Sequence, residues 1–166
     1  NVAPGSARDE CVTAVVLDLE TAGLDVEWDE PIELAMVRFQ YERPSGRFVG
    51  VTGLFSAVRE PVVPIPAAVT RLTGIDQEEV AGCTIDPDEV AVFLKDVRLI
   101  VAHNCRFDRP FAEAFWPVFE RLPWACSYCG IHWNDRGFEG GRLGHLLNQA
   151  GCFHDGHRAL DDAIAT

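Results

Sequence analysis

The stretch VTAVVLDLETAG, residues 12–23, decides how the rest of this chain is read. Residues 12–19 form an apolar run, rich in β-branched side chains, that ends in acids, so they read as a central strand buried in a sheet. Asp18 and Glu20 stand at its end. Two positions apart on a strand, their side chains share a face, with backbones ~6.6 Å apart. Two carboxylates aimed the same way repel unless a cation lies between them or both reach solvent beyond the strand end. Strand ends are also where ligands collect in α/β sheets.

Working outward, Ile32 to Tyr41 and Arg47 to Ala57 read as two more strands, joined by a hairpin turn at ERPSG. Residues 64–73 read as a short helix closed by Gly74, and 86–96 as a helix that opens on acids. Arg98 to His103 repeats the buried-strand pattern. Phe107 to Glu120 reads as an aromatic-rich helix interrupted by Pro110 and Pro117, followed by a short strand from Trp124 to Tyr128. Residues 142–150 form an amphipathic helix ended by Gly151, and HRALDDAIA opens the last helix. Strands first, then alternating helix and strand, predict an α/β domain with a mixed sheet.

The chain has 166 residues, 48% hydrophobic and 24% charged, which suits one globular domain, residues 1–166. The first residue is Asn1, and DDAIAT reads as a helix cut in mid-pattern, so a longer natural polypeptide is expected. No apolar run approaches ~20 residues and no signal sequence opens the chain, which predicts a cytoplasmic protein with no membrane partner. The six cysteines are expected to be reduced thiols. The net charge of −12 argues against a broad basic surface that grips long nucleic acid. Contact with a few nucleotides stays open, because bound cations invert a local field.

Further acids stand where a core has no use for them. Asp108 follows the second buried strand, near the start of a helix, where a capping role is the plain alternative. His157, Asp161 and Asp162 sit together in DGHRALDDA. On a regular helix i+5 is turned ~140° from i, so local spacing alone pairs His157 with Asp161. If the sheet gathers these points, they form an oxygen-rich cage suited to Mg²⁺ or Mn²⁺. Two such ions can clamp the attacking and leaving oxygens of a phosphodiester.

Three segments, LDLETAG (17–23), AHNCRFD (102–108) and HRALDDA (157–163), resemble in order and spacing the three motifs of the DEDDh 3′–5′ exonuclease family. That group includes the proofreading epsilon subunit of bacterial replicative DNA polymerase and its stand-alone relatives. RLTGI (71–75) and WACS (124–127) also resemble family segments, so the likeness covers nearly the whole chain. It implies a ribonuclease H-like α/β fold with a mixed five-stranded sheet flanked by helices. It implies Asp18, Glu20, Asp108 and Asp162 as ligands of two divalent cations, Mg²⁺ or Mn²⁺, and His157 as the general base that takes a proton from the attacking water. The family spacing selects Asp162 where helical spacing selects Asp161. His157 is then expected in the segment leading into the helix. Leu24, His103 and Asn104 are implied as substrate-binding residues, with a packing role as the alternative for Leu24.

The implied partner is a nucleic-acid 3′ end, with single-stranded DNA favoured over RNA, releasing nucleoside 5′-monophosphates. A polymerase or other protein partner is left unidentified. The competing readings are an exoribonuclease and a catalytically silent binding module. Ala22 stands where the family commonly has threonine. The acidic balance predicts a weak grip on long substrates. A CxxC at Cys126 and Cys129, with His132, His145, Cys152 and His154 beyond it, is a weak zinc signal against buried thiols. Phe107, Phe111, Phe115 and Trp116 read as core, and WNDRGFEGG (133–141) as a mobile loop beside the site.

Overall fold

The computed structural model describes residues 11–153 and 156–166. Five strands, β1 (Cys11–Thr21), β2 (Pro31–Glu42), β3 (Phe48–Val58), β4 (Ile100–Ala102) and β5 (Trp124–Cys126), form one sheet in the order β3-β2-β1-β4-β5. β1–β2 and β2–β3 pair antiparallel, whereas β1–β4 and β4–β5 pair parallel. This is the mixed five-stranded sheet expected from the sequence. Six helices flank it: α1 (Ala67–Thr73), α2 (Gln77–Val80), α3 (Pro87–Phe93), α4 (Cys105–Phe115), α5 (Leu143–Gln149) and α6 (Ala159–Ala165).

The alternation along β1 splits the core in two. Val15, Leu17 and Leu19 join Phe111, Ala112, Trp116 and Phe119 in the larger cluster, so the aromatic set is core. Val16, on the opposite face, joins Ala35, Val37, Ala159 and Ala163. Small alanines let α6 lie close against β1 and β2. Period two therefore turns Asp18 and Glu20 toward the α6 side of the sheet. Because β1 and β4 run parallel, their C-terminal ends open at the same edge. The candidate residues of the first two segments are delivered there.

Local chemistry sets the boundaries. Gly74, at φ 76°, ends α1 with its N–H on the Thr70 carbonyl, the left-handed cap that glycine adopts without steric cost. The predicted 107–120 helix starts earlier, at Cys105, and stops at Phe115. Trp116 is extended at φ −134°, ψ 94°, as the residue before Pro117 must leave the helical region. Pro117–Arg121 continues as a 3-10 turn. The β4 strand is shorter than the predicted 98–103 at both ends, beginning at Ile100 and ending at Ala102, after which His103 and Asn104 turn out of the sheet, Asn104 with φ 67°. Two single turns escaped the sequence reading. One is α2, capped by Asp76 accepting from the Glu78 and Glu79 N–H groups. The other is a 3-10 turn at Trp133–Arg136. Each is too short to show a period. The second pins the glycine-rich segment. Trp133 Nε1 donates to the Ser127 carbonyl at 2.9 Å, and its ring meets Phe138 edge-on at 5.4 Å.

Candidate active site

Four acids from three distant segments converge at the C-terminal edge of β1 and β4. Asp18 and Glu20 end β1, opposite Ala35 and Glu33 of β2. Asp108 lies in the first turn of α4 and is 2% exposed. Asp162 lies in the first turn of α6. A carboxylate oxygen of Glu20, a ring nitrogen of His157 and a carboxylate oxygen of Asp162 all lie within 4.8 Å of one another. Among the described residues this is the group of His, Cys, Asp and Glu side chains close enough to hold an ion together.

The electrostatics agree with the geometry. Burial, then the charges of Asp108, Asp162, Glu20 and Glu33, hold the Asp18 carboxyl well above its usual range. Burial pushes Glu20 up to about 8, aided by Asp162, Glu33 and Asp108 and opposed by Arg158. Burial pushes Asp108 up to about 7, against the pull of the backbone N–H groups of Asp108 and Leu19. So many carboxylates crowded together favour bound protons or bound cations.

His157 precedes α6 at φ 72°, in the left-handed region that a side chain beyond glycine seldom adopts. Its N–H donates to Asp162 Oδ2 at 3.0 Å. That turn explains why helical spacing misleads here. His157 lies outside the regular helix and meets Asp162, while Asp161 is exposed. A backbone outlier at a converging polar cluster is a common mark of a functional site.

The remaining sequence candidates sit nearby in the fold. His103 leaves β4 with Nδ1 2.9 Å from Ser127 Oγ. With Asn104, Tyr128, Arg142 and Leu143 it lines a pocket of about 300 Å³. Leu24 is 84% exposed on the loop after β1, so it has no core-packing role. The CxxC pair falls at the end of β5. Burial raises the Cys126 thiol, but hydrogen bonds from Cys129, Cys105 and Tyr128 outweigh it and bring it down to about 6. All six cysteines are free thiols. His154, another member of the zinc signal, lies outside the described residues.

Two residues that the sequence reading passed over belong to this neighbourhood. Glu33 is 2% exposed in the apolar strand β2. It accepts hydrogen bonds from Arg158 Nη2 at 2.9 Å, Arg158 Nε at 3.3 Å and the Ala159 N–H at 2.9 Å. Its signal in the sequence was a lone acid inside PIELAMV, a run otherwise apolar enough to be wholly buried.

The family model of the RNase T-type exonuclease domain matches residues 15–166. The chain belongs to this exonuclease family. The exonuclease domain is 30% identical over 161 residues to the DNA polymerase III epsilon subunit of Aquifex aeolicus, covering 93% of this chain and 76% of that subunit. It is 31% identical over 102 residues to the PolC-type DNA polymerase III of Caldanaerobacter subterraneus, covering 60% of this chain. It spans only about 7% of the length of that polymerase. The exonuclease domain also superposes on E. coli Exonuclease I in complex with a dA16 oligonucleotide, with a TM-score of 0.67 and 22% identity, over 93% of this chain and 39% of that one. At that identity the likeness shows the shared fold.

Proposed function

We propose that this protein is a divalent-cation-dependent 3′–5′ exonuclease that shortens DNA from its 3′ end and releases nucleoside 5′-monophosphates. The observation that carries this reading is the convergence of Asp18, Glu20, Asp108 and Asp162 with His157 at one sheet edge. The relatives point the same way. One is a polymerase III epsilon subunit, and the shared fold is that of an exonuclease solved with a DNA oligonucleotide.

The donor set fits Mg²⁺ or Mn²⁺. Its ligand atoms are mainly carboxylate oxygens, and several of these acids are held above their usual pKa by burial and then by mutual repulsion, which a cation relieves. Asp18, Glu20, Asp108 and Asp162 would hold two ions. Bound divalent cations supply Lewis-acid activation of water and stabilise the leaving 3′ oxygen. His157, exposed at the rim of the cluster, is free to take the proton of the attacking water through its imidazole. His103 and Asn104 line a pocket beside β4 that suits the terminal nucleotide. Leu24 offers an apolar side chain on which its base can rest. The net charge of −12 supplies little attraction for long backbones, so short or frayed single-stranded ends are the favoured substrates.

The test is cleavage of 5′-labelled single-stranded DNA and matched RNA, in Mn²⁺ and in EDTA. The expected result is a ladder that shortens from the 3′ end of DNA, only with Mn²⁺. Faster loss of the RNA moves the assignment to an exoribonuclease. A folded, Mn²⁺-bound protein that leaves both substrates intact defeats the nuclease reading and leaves a silent module.

A second expectation concerns pH. The folded pKa values of Glu20 and Asp108, about 8 and about 7, lie above the ordinary carboxylate range. The native state thus binds more protons than the unfolded one between about pH 4 and 8, and cation-free stability falls as pH rises through that window. Cations compete with those protons. The rise in melting temperature on adding Mn²⁺ should therefore be larger at pH 8 than at pH 5. Equal shifts at the two pH values would speak against a carboxylate cage.

A further inference from the structure

α6 carries no side-chain cap of its own, since Arg158 at its N-cap position makes no capping hydrogen bond. The Ala159 N–H, one of the donors that a helix start leaves without a partner, is instead taken by Glu33 from β2. The same carboxylate receives Arg158 through two nitrogens, Nη2 at 2.9 Å and Nε at 3.3 Å. Glu33 is buried, whereas the Arg158 side chain is 40% exposed and also reaches Glu79 of α2 at 3.2 Å. One carboxylate thus docks the start of α6 onto the sheet by three hydrogen bonds, two of them from a planar guanidinium that fixes direction as well as distance.

The place of this contact in the chain gives it consequence. Arg158 follows His157 directly, and Asp162 lies one turn into the helix that begins at Ala159. Along the sheet, Glu33 is the direct register partner of Glu20. The contact therefore stands between the side that supplies Glu20 and the side that supplies His157 and Asp162. A buried carboxylate here, beside four other acids, adds repulsion to a crowded centre. Holding α6 in place is the role that its geometry supports.

We infer that Glu33 is a positioning residue for the catalytic centre: its buried carboxylate latches Arg158 and the Ala159 N–H, and so sets where His157 and Asp162 meet Glu20. The inference rests on the exonuclease reading. It assigns to a residue outside the three sequence segments the job of joining the third segment to the first.

The deciding experiment compares wild type, Glu33→Gln, Arg158→Gln and the double variant by Mn²⁺ titration followed by electron paramagnetic resonance. Steady-state cleavage of a short oligonucleotide and EDTA melts accompany it. A latch predicts that both single variants bind Mn²⁺ more weakly, by ~10–100-fold, as loss of a supporting contact does at other metal centres. It also predicts that kcat falls more than KM rises, and that the double variant is no worse than the weaker single. A mere charge effect predicts opposite shifts. Removing the acid weakens cation binding, and removing the base strengthens it. Opposite shifts, or a lowered melting temperature with unchanged Mn²⁺ affinity, overturn the inference. If Glu33→Gln does not fold, Arg158→Gln, altered at a half-exposed side chain, decides by the direction of its shift. A wild type that neither binds Mn²⁺ nor cleaves removes the nuclease reading and this inference together. A wild type that does both, beside variants that match it, removes the inference alone.

Discussion

Replacing Asp18 with asparagine is expected to abolish cation-dependent cleavage and, at pH 8, to raise the melting temperature of the cation-free protein. Burial, and then the charges of Asp108, Asp162, Glu20 and Glu33, all act on the Asp18 carboxylate. Its folded pKa lies above the unfolded value, so its contribution to stability is lost as pH rises above about 4. Asparagine keeps the shape and has no proton to lose. Removing the repulsion should stabilise the cation-free fold by about 0.5–2 kcal/mol, the size of gain common when a functional site is relieved of its strain. For a domain of this size that is about 2–4 °C per kcal/mol. The gain should shrink to a small remainder near pH 4, where the folded-state acids are protonated and the unfolded ones about half so. Cleavage should fall by more than the ~10–100-fold typical of a supporting residue. Thermal melts in EDTA at pH 4 and pH 8, beside an oligonucleotide assay, check both halves. An Asp18→Asn protein that is less stable at pH 8 and still cleaves would mean that Asp18 is an ordinary structural acid.

The second large effect is expected at His157. Converting it to glycine should lower kcat by ~10²–10⁴-fold, the usual contribution of a positioned proton acceptor, without lowering the melting temperature. The backbone there sits at φ 72°, which glycine adopts freely and histidine does not. The side chain is exposed, so little packing is lost. Mn²⁺ affinity should stay within a few-fold of wild type. If it collapses as it does for the carboxylate variants, His157 binds the ion and the proton acceptor is another group.

Much of this was legible in the chain because it was written in periodic patterns. The alternation in VTAVVLDL and the acids closing it located β1 and its edge. Gly74 and Gly151, both at positive φ, punctuated two helices where glycine was the signal. His157 defeated helical spacing because spacing presumes a helix, and this residue lies before one, in a left-handed turn. Glu33 was hidden for a related reason. Its partner Arg158 lies far along the chain and becomes its neighbour only when α6 docks on β2. A lone acid in an apolar strand announces that some partner exists and leaves its identity to the fold. Leu24 shows the reverse limit. Sequence left it between packing and function, and only its exposure separated the two.

The acids that converge here are drawn from opposite ends of the domain, Asp18 in the first strand and Asp162 in the last helix. A chain emerges from the ribosome with its first strand leading. β1, β2 and β3 can form their antiparallel sheet early, but the fourth carboxylate and the imidazole arrive only later, with residues 157–162. On the proposed reading, a chain wired in this order has no complete centre until its residues through Asp162 have been made. The proposed centre is completed in a single docking event, when α6 settles on the sheet.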